Sequence, residues 1–365
     1  MKNKLSSGDS FDVLVVGSGF AGLLAASFSL EQGKSVLLVD ALDDVGGRYS
    51  PQIRNDFILG AGFSFPQGDL YRQAFDRLKI PLESIRMENT VALTSSTRGW
   101  APCNLEELPS WEAYLAQNSD FYPQCGLNGV QLKLLEYCNA SPRFQKQMDF
   151  PVTALNVEEG KITKVILGQD LELKPEKVIW AAEFKCLMDI LQGDVSIPPV
   201  GPGRVSWLRK FSKSNATPGV IMEFAHSKKV ADFSETLLLP FTQAEKEERH
   251  YLVGAFIGNR DQSLMPSGKQ LSSWTFSLSE TEWGENHETM KKIRAAHRLL
   301  DKAFAGFEGS VEFDRVMVLE HTITPQTKKK SDWHPVLPNL LLAADWASPY
   351  GAHNEGILQL LLEKF

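Results

Sequence analysis

The hexapeptide Gly17-Ser18-Gly19-Phe20-Ala21-Gly22 constrains this chain more than any other feature, because of what flanks it. Before it runs Phe11 to Val16, an apolar stretch with three valines that reads as a buried parallel strand. After it comes an Ala/Leu-rich helix from about Ala21 to Glu31, stopped by Gly33, and a second apolar strand from Ser35 to Val39 ending at Asp40. This is a complete βαβ unit. In a GxGxxG turn of this kind the first glycine permits the tight turn and the second has no Cβ to block a pyrophosphate. The third lets the helix pack close to the strand. The phosphates then meet the free amides and the positive dipole end of the helix. Asp40, 18 residues beyond Gly22, stands where a carboxylate accepts hydrogen bonds from a ribose diol. A carboxylate there disfavours a ribose 2′-phosphate, so FAD or NAD is expected over NADP.

With 365 residues the chain exceeds one average domain, and 43% hydrophobic against 23% charged residues is ordinary for a globular protein. Disorder, collagen and coiled coil are excluded on that composition. The net charge of −7 argues against a nucleic-acid binder, which needs a basic face. Lys328, Lys329 and Lys330 read as a solvated loop. Cys103, Cys125, Cys138 and Cys186 form no CxxC pair, so neither a zinc site nor a disulfide framework is expected. No metal is expected. The N-terminal segment lacks an apolar h-region and no apolar stretch approaches the ~20 residues of a membrane span. A cytoplasmic protein without a membrane span is therefore expected.

Helical spacing of Leu70, Ala74 and Leu78 predicts a short helix. Residues 82–100 read as one or two strands, and residues 105–147 as helices with Val130, Leu134 and Tyr137 on one face. Short strands with a Glu159-Gly160 turn follow from Val152 to Ala181. Further strands are expected at Val220 to Phe224, Thr236 to Leu239, Tyr251 to Ile257 and Leu271 to Leu278. One long amphipathic helix is expected to carry Met290, Ile293, His297, Leu300, Phe304 and Phe307, and a last strand, Leu340 to Ala344, to precede the terminal helix.

Just past Asp40 come Val45-Gly46-Gly47-Arg48 and then Gly60-Ala61-Gly62-Phe63. Adjacent glycines expose backbone amides, Arg48 offers a cation beside phosphates, and the Gly-Ala-Gly segment lets backbone approach a flat ring. At the far end Leu341-Leu342-Ala343-Ala344-Asp345-Trp346 and Gly351-Ala352-His353-Asn354-Glu355-Gly356 open a second helix N-terminus. Such a helix end stabilises negative charge on a reduced flavin, which favours FAD over NAD.

At these residues the sequence resembles the flavin amine oxidase superfamily, whose members include monoamine oxidases, phytoene desaturases, protoporphyrinogen oxidase and renalase. Four stretches carry the resemblance: Val13 through Arg48 to Phe63; Tyr122-Pro123-Gln124-Cys125-Gly126-Leu127; Val152 to Ala181; and Leu340 to Leu360. The resemblance implies an α/β fold, with a Rossmann-like FAD-binding domain from residues 1–66, 124–192 and 335–365. A smaller α+β substrate domain, residues 67–123 and 193–334, is interleaved with it. It implies noncovalent FAD held by Gly17, Ser18, Gly19, Phe20, Ala21 and Gly22 at the pyrophosphate, with Asp40 and Ala41 at the adenosine ribose. Gly47 and Arg48 fall at the phosphates and ribityl chain, Gly60, Ala61, Gly62 and Phe63 along the isoalloxazine, and the Val152 backbone at the adenine. Asp345 falls at the pyrophosphate or ribityl chain, and Asn354, Glu355 and Ile357 at the flavin's pyrimidine edge.

The sequence departs from the family in places. Ala344 replaces the usual Gly before Asp, Leu358-Gln359 replaces a small pair, and Met222 falls near the position of a lysine common in amine oxidases. The compact length is closer to renalase-type members. The chemistry implied is hydride removal from a small apolar or amine substrate onto flavin. Alternatives are a desaturase or isomerase of a lipid-like substrate, or a redox-silent nucleotide-binding protein. No catalytic side chain is assigned. Tyr350 and His353 are expected near the ring, His353 as a turn residue, and Trp207, Trp274 and Trp333 in cores or interfaces.

Overall fold

The structure is a computed structural model. It describes residues 5–365 apart from 8, 48–49, 88–90, 118, 194–216, 242–249, 323–336, 345–346, 349 and 351–352. Two sheets organise it. The first is wholly parallel, in the order Leu340–Leu342, Lys177–Trp180, Val13–Val16, Val36–Val39, Phe144–Gln147. Its central strands, VLVV and VLLV, are buried along their whole length. Unbroken apolar runs are what a sheet covered on both faces requires.

The helix Phe20–Glu31 lies on one face of this sheet and is buried on nearly every side. It packs against Gly126–Ala140, Gly68–Leu78 and the terminal helix Asn354–Lys364. Its two buried serines, Ser27 and Ser29, return their hydroxyl protons to the carbonyls of Leu23 and Ala25, at 2.8 and 2.7 Å, so no polar group is stranded. The helix Gly68–Leu78, just past the boundary expected at residue 66, contributes Tyr71, Ala74, Phe75 and Leu78 to this same core. The opposite face carries a meander of Val152–Glu158, Lys161–Leu167 and Leu171–Leu173. Its first turn is Glu159-Gly160, with φ of 49° and 77°, the left-handed pair that a tight hairpin needs.

The second sheet has seven strands in the order Val311–Thr322, Thr217–His226, Gln270–Ser277, Tyr251–Ala255, Leu237–Pro240, Leu93–Ser96, Gly99–Pro102. All neighbours are antiparallel except the parallel pair Leu237–Pro240 and Leu93–Ser96. The helix Asn286–Ala303 covers one face, burying Ile293, Ala296 and Leu300 against Met222, Phe224, Trp274 and Phe276. The other face turns toward the glycine segments described below.

Two expectations need correction. Residues 105–147 are not all helical, because Phe121–Pro123 pairs with Ser84–Arg86 and Phe144–Gln147 forms the edge of the parallel sheet. The long helix is also shorter than its stripe. Met290 is 47% exposed, and Gly306, at φ 77°, ends the run before Phe307. Phe304 and Phe307 still join the same core from beyond the helix end. Among the described residues no helix is long and apolar enough to cross a membrane.

Candidate cofactor and substrate site

The three glycines of the first turn are required for different reasons. A Cβ on Gly22 would stand 1.8 Å from the Gly17 carbonyl oxygen, and one on Gly17, at φ 101°, 2.8 Å from the Ala181 carbonyl carbon. Those two are fixed by the fold itself. Gly19 is not: it has an ordinary extended backbone, φ −70° and ψ −174°, and a Cβ there meets nothing nearer than the Gly46 oxygen at 3.9 Å. It is also the N-cap of Phe20–Glu31, with no side-chain cap and no acidic residue in the first turn. An uncapped helix start facing open space is suited to a phosphate. Gly47 closes the far side, since a Cβ on it would come 3.3 Å from the Gly19 Cα.

Asp40 is already engaged in holding this loop. Its Oδ2 accepts from the Ser18 amide at 2.6 Å and the Ser18 hydroxyl at 2.7 Å, and its Oδ1 from the Leu42 amide at 3.0 Å. Three bonds leave a carboxylate room for a further donor. Ala41 beside it is exposed. Asp149 and Phe150 donate their amides to the carbonyls of Leu42 and Asp40, which lays the approach to Val152 alongside the same turn. Arg48 and Asp345 lie outside the described residues, as do Trp207 and Trp333.

The strip Leu59 to Phe63 is held at every residue. Asn128 Nδ2 donates to the Leu59 carbonyl at 3.1 Å, and the Gly60 amide donates to Glu223 Oε1 at 2.8 Å. The Leu127 amide donates to the Ala61 carbonyl at 2.8 Å, the Tyr122 hydroxyl to that of Gly62 at 3.2 Å, and Arg260 to that of Phe63. Gly60 and Gly62, at φ 86° and 72°, let the strip follow these anchors. Gln131 Nε2 reaches the Gly46 carbonyl at 3.3 Å. It sits three residues from Asn128 on one helix, so the two glycine segments are tied about 5 Å apart along it.

Glu223 and Arg260 are buried charges set on backbone. Burial pushes the Glu223 carboxyl up, while the Gly60 amide and Arg315 hold it back; Arg315 Nη1 stands 3.4 Å from its Oε2. Burial lowers Arg260 to about 10, where it is still a cation at neutral pH. Its remaining donors reach the Ser234 carbonyl and Thr236 Oγ1.

Beyond the strip a cleft opens between two walls. One wall is the second sheet, where register sets side chains in rows: Arg315, Glu223 and Ser273, then Met317, Ile221 and Thr275. Met222 falls between these rows and points to the opposite face, into the core with Trp274. No lysine lines the cleft among the described residues. The other wall is Trp111, Tyr114 and Leu115 from the helix Ser110–Ala116, and Asn354 and Glu355 from the terminal helix.

His353 is the N-cap of the terminal helix, its Nδ1 accepting the Gly356 amide at 2.8 Å. Tyr114 stacks on it at 4.4 Å between ring centroids and donates its hydroxyl proton to Glu355 Oε2 at 2.6 Å. Glu355 Oε1 is buried without a hydrogen-bond partner among the described residues. Ile357 is not part of the cleft: its side chain is buried in the core and its amide donates to the His353 carbonyl at 3.2 Å. Ala344 is likewise buried, its methyl in the core with Trp180 and Leu342.

Tyr122 was named from the sequence only as part of the stretch Tyr122 to Leu127, and Tyr114, Asn128, Gln131, Glu223 and Arg260 were not named as site residues. Glu223 alone carried a signal, as a single carboxylate inside the apolar run Val220 to Phe224; a charge buried there needs a specific partner.

Residues 15–78 match the model of an NAD(P)-binding Rossmann-like domain. Over nearly its whole length the chain is similar in fold to an oxidoreductase from Methanosarcina mazei, at TM-score 0.75 and 15% identity, with 98% of this chain and 99% of that one covered. It is similar to a putrescine oxidase bound to putrescine, at TM-score 0.61 and 13% identity, with 98% of each covered. It is also similar to a Rab GDI from Plasmodium falciparum, at TM-score 0.59 and 13% identity, with 98% and 97% covered. The architecture is therefore an α/β fold shared with these structures, with a Rossmann-like unit at its N-terminal end. One fold hosts different functions, so activity has to be argued from the site.

Proposed function

We propose that this protein is an oxidoreductase that binds FAD noncovalently and takes a hydride from a small apolar or amine substrate held in the cleft. The observation that carries the proposal is Gly19, a glycine that neither backbone conformation nor internal packing demands, in front of an uncapped helix start. What it leaves open is room for a ligand. From that opening the glycine segments lead by way of Asn128 and Gln131 to the strip and the cleft. An elongated ligand with phosphates at one end and a flat ring at the other suits such a path.

When bound, the flavin supplies the two-electron acceptor. The chain's own part is binding and positioning. With FAD bound, the first helix start and Gly47 would hold the phosphates, the pinned strip would lie along one side of the ring, and the N-terminus of Asn354–Lys364 would face its electron-rich edge. Ile221, Met317, Leu319, Leu115 and Leu127 give the substrate an apolar enclosure that excludes water from the reacting C–H. The buried methyl of Ala344 packs with core residues, which removes one reason for supposing a redox-silent protein.

The test is direct. The purified protein should be yellow, release FAD on acid precipitation, and bleach anaerobically with one member of a panel of amines, dihydronicotinamides and polyenes. A colourless protein that takes up no FAD yet binds NAD tightly overturns the proposal.

A further inference from the structure

Glu355 is only 3% exposed, yet half of its carboxylate is unused. His353 Nδ1 accepts the Gly356 amide and so carries no proton of its own. The hydroxyl of Tyr114, 3.0 Å from that nitrogen, has one proton and gives it to Glu355 Oε2 at 2.6 Å. Nothing among the described residues reaches Oε1. A buried carboxylate oxygen left without a donor costs a substantial part of its hydration, and this one belongs to a residue lining the cleft. The Tyr114 bond and the helix start fix the side chain, so Oε1 is held in place. Around it the cleft offers flat and apolar walls in Trp111, Tyr114, Phe63 and Leu115.

We infer that Glu355 Oε1 is the acceptor for an N–H at the edge of a planar ring bound in this cleft. The inference rests on the proposed reading of the cleft as a cofactor and substrate site. Two sources present that chemistry, the imide N–H of a flavin ring and a ring N–H of the substrate. In either case Glu355 selects by accepting a hydrogen bond, and Tyr114 is the positioning residue that aims it.

Two matched pairs of probes decide between them by calorimetry. The first is FAD against FAD methylated at the imide nitrogen, added to protein freed of cofactor. The second is indole against N-methylindole, added to the protein as purified. Methylation deletes the donor and adds one methyl group, whose steric cost persists in Glu355→Met because the side-chain volume there is similar. A hydrogen bond to a charged acceptor predicts a penalty of about tenfold or more in Kd for one pair. The pair that shows it identifies the source. Glu355→Met removes the acceptor at similar volume and should collapse that penalty to within about threefold, whereas Tyr114→Phe keeps the acceptor and should retain it in part. No penalty for either pair in the wild-type protein overturns the inference whether or not the variants fold, and so does a penalty that survives intact in Glu355→Met. If the protein takes up no FAD at all, the proposed function fails, and the indole pair still decides the role of Glu355.

Discussion

Substituting the three turn glycines one at a time separates ligand from fold. A Cβ on Gly22 would overlap the Gly17 carbonyl oxygen at 1.8 Å, backbone against backbone, with no flexible side chain to give way. Overpacking of this kind costs about 1–3 kcal/mol or more. At ~2–4 °C per kcal/mol for domains of 150 to 250 residues, Gly22→Ala should lower Tm by roughly 2 to 12 °C. Gly19 stands apart, with 3.9 Å of clearance and an extended backbone open to any residue. Gly19→Ala should leave Tm unchanged or raise it, since a compatible Gly→Ala change gains about 0.4–1 kcal/mol through the unfolded chain. Its cost should fall on the ligand instead. A methyl group forced against a close-packed pyrophosphate, at the same cost as overpacking, weakens FAD binding by roughly 5- to 150-fold, and Gly19→Val by more. Differential scanning fluorimetry of the cofactor-free proteins, where loss of bound FAD cannot itself lower Tm, and FAD titration of the same samples give both numbers. If Gly19→Ala loses as much Tm as Gly22→Ala, or binds FAD as tightly as the wild type, Gly19 is a structural glycine and the phosphate site is misplaced.

The remaining predictions concern charge. Burial raises Glu112 from 4.5 to about 7, so the folded state holds its proton where the unfolded chain has lost it, and stability falls as pH rises from 4.5 to about 7. Glu112→Gln should therefore be more stable than the wild type above pH 7, by on the order of 3 kcal/mol, and equal to it below pH 4.5; an equal difference at both ends refutes this. His226 is lowered by burial from 6.5 to about 4. Its contribution is present above pH 6.5 and lost as pH falls toward 4, opposite in slope to that of Glu112, so the stability of Glu112→Gln should rise more steeply with pH than the wild type's across pH 4.5 to 6.5. Asn354→Pro removes one amide at a first helical position that tolerates proline. If that helix end faces the flavin, the reduction potential should fall by roughly 10 to 40 mV, and spectroelectrochemistry showing no change with flavin bound would mean it faces elsewhere.

What could be read from the sequence was what local backbone demands. Gly17 and Gly22 of the GxGxxG turn, with Gly60 and Gly62, need conformations or close approaches that favour glycine, and the runs VLVV and VLLV can only be buried, so the parallel sheet and its turn were legible. The strand Phe144–Gln147 was not, because FQKQ has no apolar run and becomes a strand only by pairing with Val36–Val39. The anchors of the strip were equally hidden. Glu223 and Arg260 lie 163 and 197 residues from the groups they hold, and no local pattern encodes a contact made across two sheets. Ile357 failed for a related reason, since facing depends on where the helix packs.

The strip at Leu59 to Phe63 also bears on how the molecule moves. Its grips come from both halves: Glu223 from the seven-stranded sheet and Arg260 from the short helix Ile257–Arg260 that follows its strand Tyr251–Ala255, and Tyr122, Leu127 and Asn128 from the segment packed on the parallel sheet. Rotating one half against the other would shear several of these bonds at once, two of them to the buried charges Glu223 and Arg260. The five residues therefore act as a rivet rather than a hinge. Ligand entry in such a molecule is expected to work by displacing side chains at the mouth of the cleft, with the ring's seat already rigid before anything occupies it.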